Sequence, residues 1–207
     1  EAADLALALR ALPTGSPVVV STDYYEHPTI RFLAPNHVPE ATWIRGTEVF
    51  VEPPGGGPAM YALQGGVEPD FLDLNAVFRG KKPAAMGSDP AHGEAFRIYR
   101  ARSSDLALPA PQHALDQKLG NLVHLHGYTV VTQSANQPDA IGVLLFWQAL
   151  SASQRKISIF THLEDSSGHL WAQRDNLGYF SSDWQPGAEV VSYHRIEVPA
   201  GTPPVEM

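Results

Sequence analysis

The chain contains no cysteine. Disulfides, thiolate metal sites and a cysteine nucleophile are therefore excluded, although the compartment stays open, because extracytoplasmic domains without disulfides exist beside cytosolic ones. Positive charge is scarce: 14 Lys and Arg stand against 22 Asp and Glu, a net charge of −8 over 207 residues. Phosphate contacts need clustered cations, so nucleic acid is not expected as a partner. An acidic surface gains nothing at an anionic membrane either. No apolar run approaches the roughly 20 residues of a membrane-spanning helix, and no signal peptide is visible. Also missing are the Gly-x-Ser-x-Gly elbow of serine hydrolases and the His-Glu-x-x-His zinc helix. Gly55-Gly56-Gly57 lacks the Lys-Ser/Thr of a phosphate loop and precedes a strand, so it reads as a tight turn.

What is present is enough apolar material, 43% of residues, to build real cores. The length suits one large domain or two small ones. The stretch 2–12 predicts a helix: Leu5, Leu9 and Leu12 repeat at helical spacing before Pro13 and Gly15. Pro17-Val18-Val19-Val20-Ser21-Thr22 predicts a strand buried on both faces. Pro28 suits the first turn of a short helix through Leu33. Strands are expected at 42–45, 49–52, 59–64 and 96–102, with a helix around 69–78. The writing then changes to strands at 122–131, 142–150, 157–164, 170–175 and 189–198. Turns are expected at Asn136-Gln137-Pro138-Asp139, Asp165-Ser166-Ser167-Gly168 and Gln185-Pro186-Gly187. The expected fold is α+β overall: a small α/β domain over 1–105, a linker at 106–114, and a mostly antiparallel β-sandwich of jelly-roll or immunoglobulin type over 115–207.

Several strings then carry a resemblance. They are Gly127-Tyr128, Phe146-Trp147-Gln148-Ala149, Phe160-Thr161-His162-Leu163, Ala172-Gln173-Arg174-Asp175, Trp184-Gln185-Pro186-Gly187 and Val198-Pro199-Ala200-Gly201-Thr202-Pro203-Pro204. Nearer the start are Leu9-Arg10-Ala11-Leu12-Pro13, the stretch 18–23 and His27-Pro28-Thr29-Ile30-Arg31-Phe32. With these, the chain resembles the soluble C-terminal region of bacterial membrane glycosyltransferases of the dolichyl-phosphate-mannose–protein mannosyltransferase type, glycosyltransferase family 39, and their aminoarabinose-transferase-like relatives.

The resemblance implies an extracytoplasmic region, on the outer face of the bacterial cell membrane, tethered to a membrane-embedded part of the same polypeptide. That part would move a sugar from a polyprenyl-phosphate donor and would hold the acidic catalytic motif. No catalytic residue is therefore carried over, the chain alone is expected to be inactive, and no cofactor or metal is expected. The remaining expected partner is a glycan or lipid-linked sugar. Glu1 falls inside a helical pattern, which reads as a piece of a longer protein. Sandwiches of this kind continue past Thr202-Pro203-Pro204, so the last strands are expected to be missing, leaving an open sheet edge.

Four groups of side chains invite chemistry. Trp171, Arg174, Asp175, Tyr179, Asp183 and Trp184 combine aromatic faces with carboxylates and a guanidinium, which suits a sugar, as CH groups stack on rings while hydroxyls find polar partners, and would make the chain a free-standing carbohydrate-binding module. The structural alternative packs Trp184 under its Pro-Gly turn and pairs Arg174 with Asp183 or Asp175, while Trp147 is core. Asp23, Glu26 and His27 follow a buried strand, where α/β ligand sites collect, and would serve a hydrolase. Alternatively Asp23 or Thr22 caps the next helix. His124 and His126 share a strand face by alternation, and a zinc site there would need His162 or His194 as well. The pairs Glu164/Asp165 and Asp175/Asp183 suit glycoside chemistry only at the right separation in space.

Overall fold

The structure, a computed structural model, describes residues 1–69, 71–89, 93–134, 137–176 and 178–202. It is α+β and β-sandwich-like. The N-terminal half supplies α1 (Ala2–Arg10), β1 (Val18–Ser21), α2 (Pro28–Leu33), β2 (Thr42–Ile44), β3 (Val49–Glu52), β4 (Ala59–Gln64), α3 (Leu74–Val77), β5 (Ala85–Asp89) and β6 (Gly93–Ala101). The C-terminal half supplies β7 (His113–Leu119), β8 (Val123–Ser134), β9 (Gln137–Ala149), β10 (Ile159–Glu164), β11 (Leu170–Asn176) and β12 (Glu189–Glu197).

The first sheet runs β2-β1-β4-β6-β5. β1 lies parallel to both β2 and β4, whereas β6 is antiparallel to β4 and β5. Both faces of this sheet are covered. Val18 and Val20 join Leu5, Leu9, Ile30, Met60 and Ile98 beneath α1 and α2. Val19, between them, turns to the opposite face with Tyr61, Leu63 and Tyr99. That two-sided burial is why β1 reads as an unbroken apolar run rather than an alternating one.

The second sheet runs β3-β12-β9-β8-β7 and is antiparallel wherever its strands pair. Its first strand comes from the N-terminal half of the chain: after β2, the chain crosses to pair Val51 with Val190 and Phe50 with Val191, then returns to the first sheet as β4. One row across the second sheet reads Val51, Val190, Trp147, Leu125. These residues belong to the same apolar cluster as Val19, Tyr61 and Phe78 of the first half. Phe50 provides the closest link, stacked on Tyr61 at 5.4 Å between ring centroids, with Phe78 edge-on to both. β10 and β11 form a separate hairpin, and Ile159 from it and Ile157 just before it pack onto this core.

Local chemistry explains the breaks. Asp73 caps α3 by accepting from the backbone N–H groups of Asn75 and Ala76 at 2.9 and 3.2 Å. The helix is only Leu74–Val77, shorter than the expected 69–78, because Phe71 and Leu72 are drawn into core contacts instead. Gly127 sits where β8 bulges, and any Cβ there would collide with the His113 carbonyl and Pro111. The expected turn around residue 138 is strand from Gln137 onward, and Asn136 lies outside the described residues. So does 203–207. The expected linker ends inside β7, which starts at His113.

Phe50 is 1% exposed, stacks on Tyr61 of the first sheet and pairs with Val191 of β12 in the second. Phe50→Ala is expected to cost about 3–5 kcal/mol. Chemical denaturation followed by Trp fluorescence and far-UV circular dichroism should show one coincident transition at a lower midpoint. Two separated transitions would show that the sheets unfold independently.

Candidate functional site

The exit of β1 is closed by backbone. The Ser21 hydroxyl donates to the Val67 carbonyl and accepts from the Gly46 N–H at 3.1 Å. A Cβ on Gly46 would strike both the Ser21 hydroxyl and the Val67 carbonyl, so only glycine allows this approach. The loop to α2 begins directly beyond this contact. Thr22 donates to the Tyr24 carbonyl at 2.7 Å, and Asp23, Tyr24 and Tyr25 are exposed. Glu26 takes a left-handed backbone, φ 49°, and its carboxylate receives the Arg31 guanidinium. His27, not Thr22 or Asp23, occupies the N-cap of α2 and makes no side-chain capping bond. The first turn is supplied by Pro28, whose missing N–H removes one donor that a cap would otherwise have to satisfy. His27 Nδ1 is buried without a hydrogen-bond partner.

Opposite this loop lies 178–185. Gly178 accepts from the Arg45 N–H at 2.8 Å, and Gln185 Nε2 donates to Thr42 Oγ1 at 3.0 Å. Tyr25 donates its hydroxyl to Asp183 Oδ2 at 2.7 Å, and its ring meets Phe180 edge-on at 4.5 Å. Partial burial, and then the Asp183 carboxylate, push the Tyr25 phenol above its ordinary range. The two halves of the chain therefore meet in an aromatic and polar seam outside the ends of β1 and β2.

The six residues grouped by sequence are divided by the structure. Tyr179 and Trp184 are core, 7% and 3% exposed. Trp184 lies 5.0 Å from Trp147 and donates its indole N–H to the Tyr179 carbonyl at 3.3 Å. Neither ring is presented to solvent. Trp171 is half-buried near the hairpin tip, where its indole N–H reaches Asp165 Oδ2 at 2.9 Å. Asp165 is held well below the usual carboxylate range, first by the Ser167 hydroxyl and next by Trp171. Arg174 pairs with neither Asp175 nor Asp183 but with Glu48 at 3.1 Å, which also receives Arg45 at 3.2 Å. Asp175 sits opposite Phe160 on the hairpin. Asp183 alone joins the seam.

His124 and His126 lie 4.5 Å apart by ring centroids, and His124 stands in a polar row that crosses all five strands of the second sheet: Glu52, Glu189, Gln148, His124, Lys118. Gln148 donates to Glu189 at 2.7 Å, His126 reaches Glu189 at 3.3 Å, and His124 pairs with Asp116. Among the described residues no group of three His, Asp or Glu is placed to hold a metal. Nor is any described helix long and apolar enough to cross a membrane. Glu164 binds His162 at 3.2 Å, whereas Asp165 serves the turn. No protein-family model, curated protein or solved structure matches the chain.

Sequence reasoning counted Phe180 among the aromatics after the hairpin but passed over Tyr24 and Tyr25. The signal was present: two tyrosines directly after a buried strand, at a polar exit, are not needed for a turn.

His194 is fully buried on β12, with its Nε2 3.3 Å from the Ser192 hydroxyl, which also accepts from Trp147 Nε1 at 3.2 Å. Burial, and then the Arg174 charge, lower its ring from the ordinary 6.5 to about 4. The unfolded chain therefore takes up this proton before the folded one. Stability should fall as pH drops through 6.5 and level off near 4, by up to about 3 kcal/mol. Urea melts at several pH values should show that slope, and His194→Gln should flatten it. An unchanged slope in the variant would assign it to other groups.

Proposed function

We propose that the chain is a non-catalytic, extracytoplasmic accessory region of a membrane glycosyltransferase that draws on a polyprenyl-phosphate sugar. Its task is to position the acceptor or to brace the membrane-embedded part of the same polypeptide. The observation that carries this reading is where the family-like strings fall. Val18 to Asp23 forms β1 and its exit, and His27-Pro28 opens α2. Trp147 lies in the shared core while Phe146 packs with Leu144 and Val191 on the other face of the sheet, and Gly127 makes the close approach of β8 to the segment before it. Trp184-Gln185-Pro186-Gly187 fastens the C-terminal half to Thr42 and to Trp147. These strings are thus joints of one framework, as expected of a region whose contribution is shape.

A framework of this kind supplies a rigid surface beside a reaction carried out elsewhere. Two sheets joined through one core move as a unit, so a ligand held at the seam keeps its orientation relative to whatever the chain is anchored to. The acidic balance favours neutral, hydroxyl-bearing partners over polyanions.

The test is sugar transfer in liposomes by the full-length protein supplied with a polyprenyl-phosphate sugar. Transfer should be lost when residues 1–207 are removed, and the 207-residue chain alone should neither transfer nor hydrolyse the sugar. Turnover by the chain alone overturns the reading. So does an upstream coding sequence without repeated apolar spans of about 20 residues.

A further inference from the structure

We infer that the seam between the loop after β1 and the loop before β12 is a carbohydrate-binding site, built on Tyr24, Tyr25, Phe180 and Asp183 and taking a neutral pyranose unit of an oligosaccharide. The inference rests on the glycan reading above and gives it a location. It differs from the site expected from sequence, since Tyr179 and Trp184 are buried and cannot offer a face to a ligand.

Four observations converge. Tyr24 and Tyr25 are 65% and 46% exposed, among the largest apolar side chains the described surface leaves open. Phe32 follows on α2 at 81%. The two tyrosines are adjacent and lie outside the ends of parallel strands, where α/β sheets place ligands. Second, the rings are held in place. Tyr25 is fixed by its bond to Asp183 and its edge-on contact with Phe180, and Tyr24 is braced by an edge-on contact with His27 at 5.9 Å. Third, the loop that presents them contains a residue in a strained backbone state, Glu26 at φ 49°, retained by its Arg31 ion pair. Such strain persists where the surroundings over-determine it, and it clusters at ligand clamps. Fourth, the polar groups suit hydroxyls. Asp183 accepts one bond on each oxygen, from Tyr25 at 2.7 Å and from Ser182 at 2.9 Å. Each carboxylate oxygen has a second acceptor position, so two sugar hydroxyls can donate beside a ring face.

Charge selects among occupants. Asp23, Glu26 and Asp183 stand against Arg31, whose guanidinium already faces Glu26. A phosphorylated sugar, a nucleic acid or an anionic bilayer would meet repulsion here. A neutral pyranose meets CH-accepting ring faces and carboxylate lone pairs without adding a like charge.

The experiment is titration of the 207-residue chain with neutral manno-, gluco- and galacto-oligosaccharides, followed by calorimetry and by protein NMR shifts. At least one series should bind, with little dependence on salt. Tyr24→Ala, at an exposed position the fold does not need, should weaken binding by about tenfold or more, and Asp183→Asn should weaken it as well. Phe160→Ala, on the outer face of the hairpin, should leave it unchanged. Binding to none of the sugars overturns the inference, as does binding untouched by Tyr24→Ala and Asp183→Asn. Association of Tyr24 with phosphatidylcholine vesicles in place of sugar would reassign the rings to a bilayer and also overturn it. The outcomes separate from those of the transferase reading: a full-length enzyme that needs residues 1–207 for transfer, in a chain that binds no oligosaccharide, sinks this inference alone.

Discussion

The pairing of β3 with β12 is the constraint on which the remaining structure depends. The chain leaves the first sheet after β2, gives Val49–Glu52 to the second, and returns as β4 on the other side of β1. Closing so long a loop costs chain entropy that only burial can offset. The burial is ample: Val51 and Phe50 carry the apolar cluster across the junction, from Tyr61 and Phe78 to Trp147 and Val190. Because β3 is shared, neither half presents a complete apolar face without the other.

The polar bridges between the halves act differently. Arg174 with Glu48 and Tyr25 with Asp183 are partly open to water. Exposed ion pairs contribute about 0–1 kcal/mol, against about 3–5 kcal/mol for a single large buried ring such as Phe50. Cohesion is therefore apolar, while the bridges set orientation. They align the loop after β1 with the loop before β12, which is what creates an aromatic and acidic surface where they meet. His194 adds a third kind of contact, a neutral imidazole sealed between sheet and hairpin, whose cost of protonation links packing to pH.

Legibility in the sequence followed burial. The strands of the core were visible because a continuous run, as at Val18-Val19-Val20, or a strand such as 189–197 has apolar residues where the sheet needs them. β5 and β7 went unread: they are sheet edges, β7 is exposed along its length, and Ala85-Met86-Gly87-Ser88-Asp89 has no alternation to detect. The site was less legible still. Trp171, Arg174, Asp175, Tyr179, Asp183 and Trp184 are close in sequence, yet a hairpin and a buried turn send them to the tip, the hairpin's two faces, the core and the seam. Tyr25 and Asp183 are far apart in sequence, and no local pattern announces that they touch.

By itself the sequence determined the α+β class, most strand positions, the burial of Trp147 and the turn at 165–168, since these follow from periodicity and turn chemistry over a few neighbouring residues. Only the tertiary structure decided that β3 belongs to the second sheet, that Trp184 is core, that Arg174 answers to Glu48, and that two tyrosines and an aspartate share one surface. The physical reason is that local preference acts along the chain, whereas sheet order, charge partners and exposure are settled by which distant segments bury the most apolar surface together.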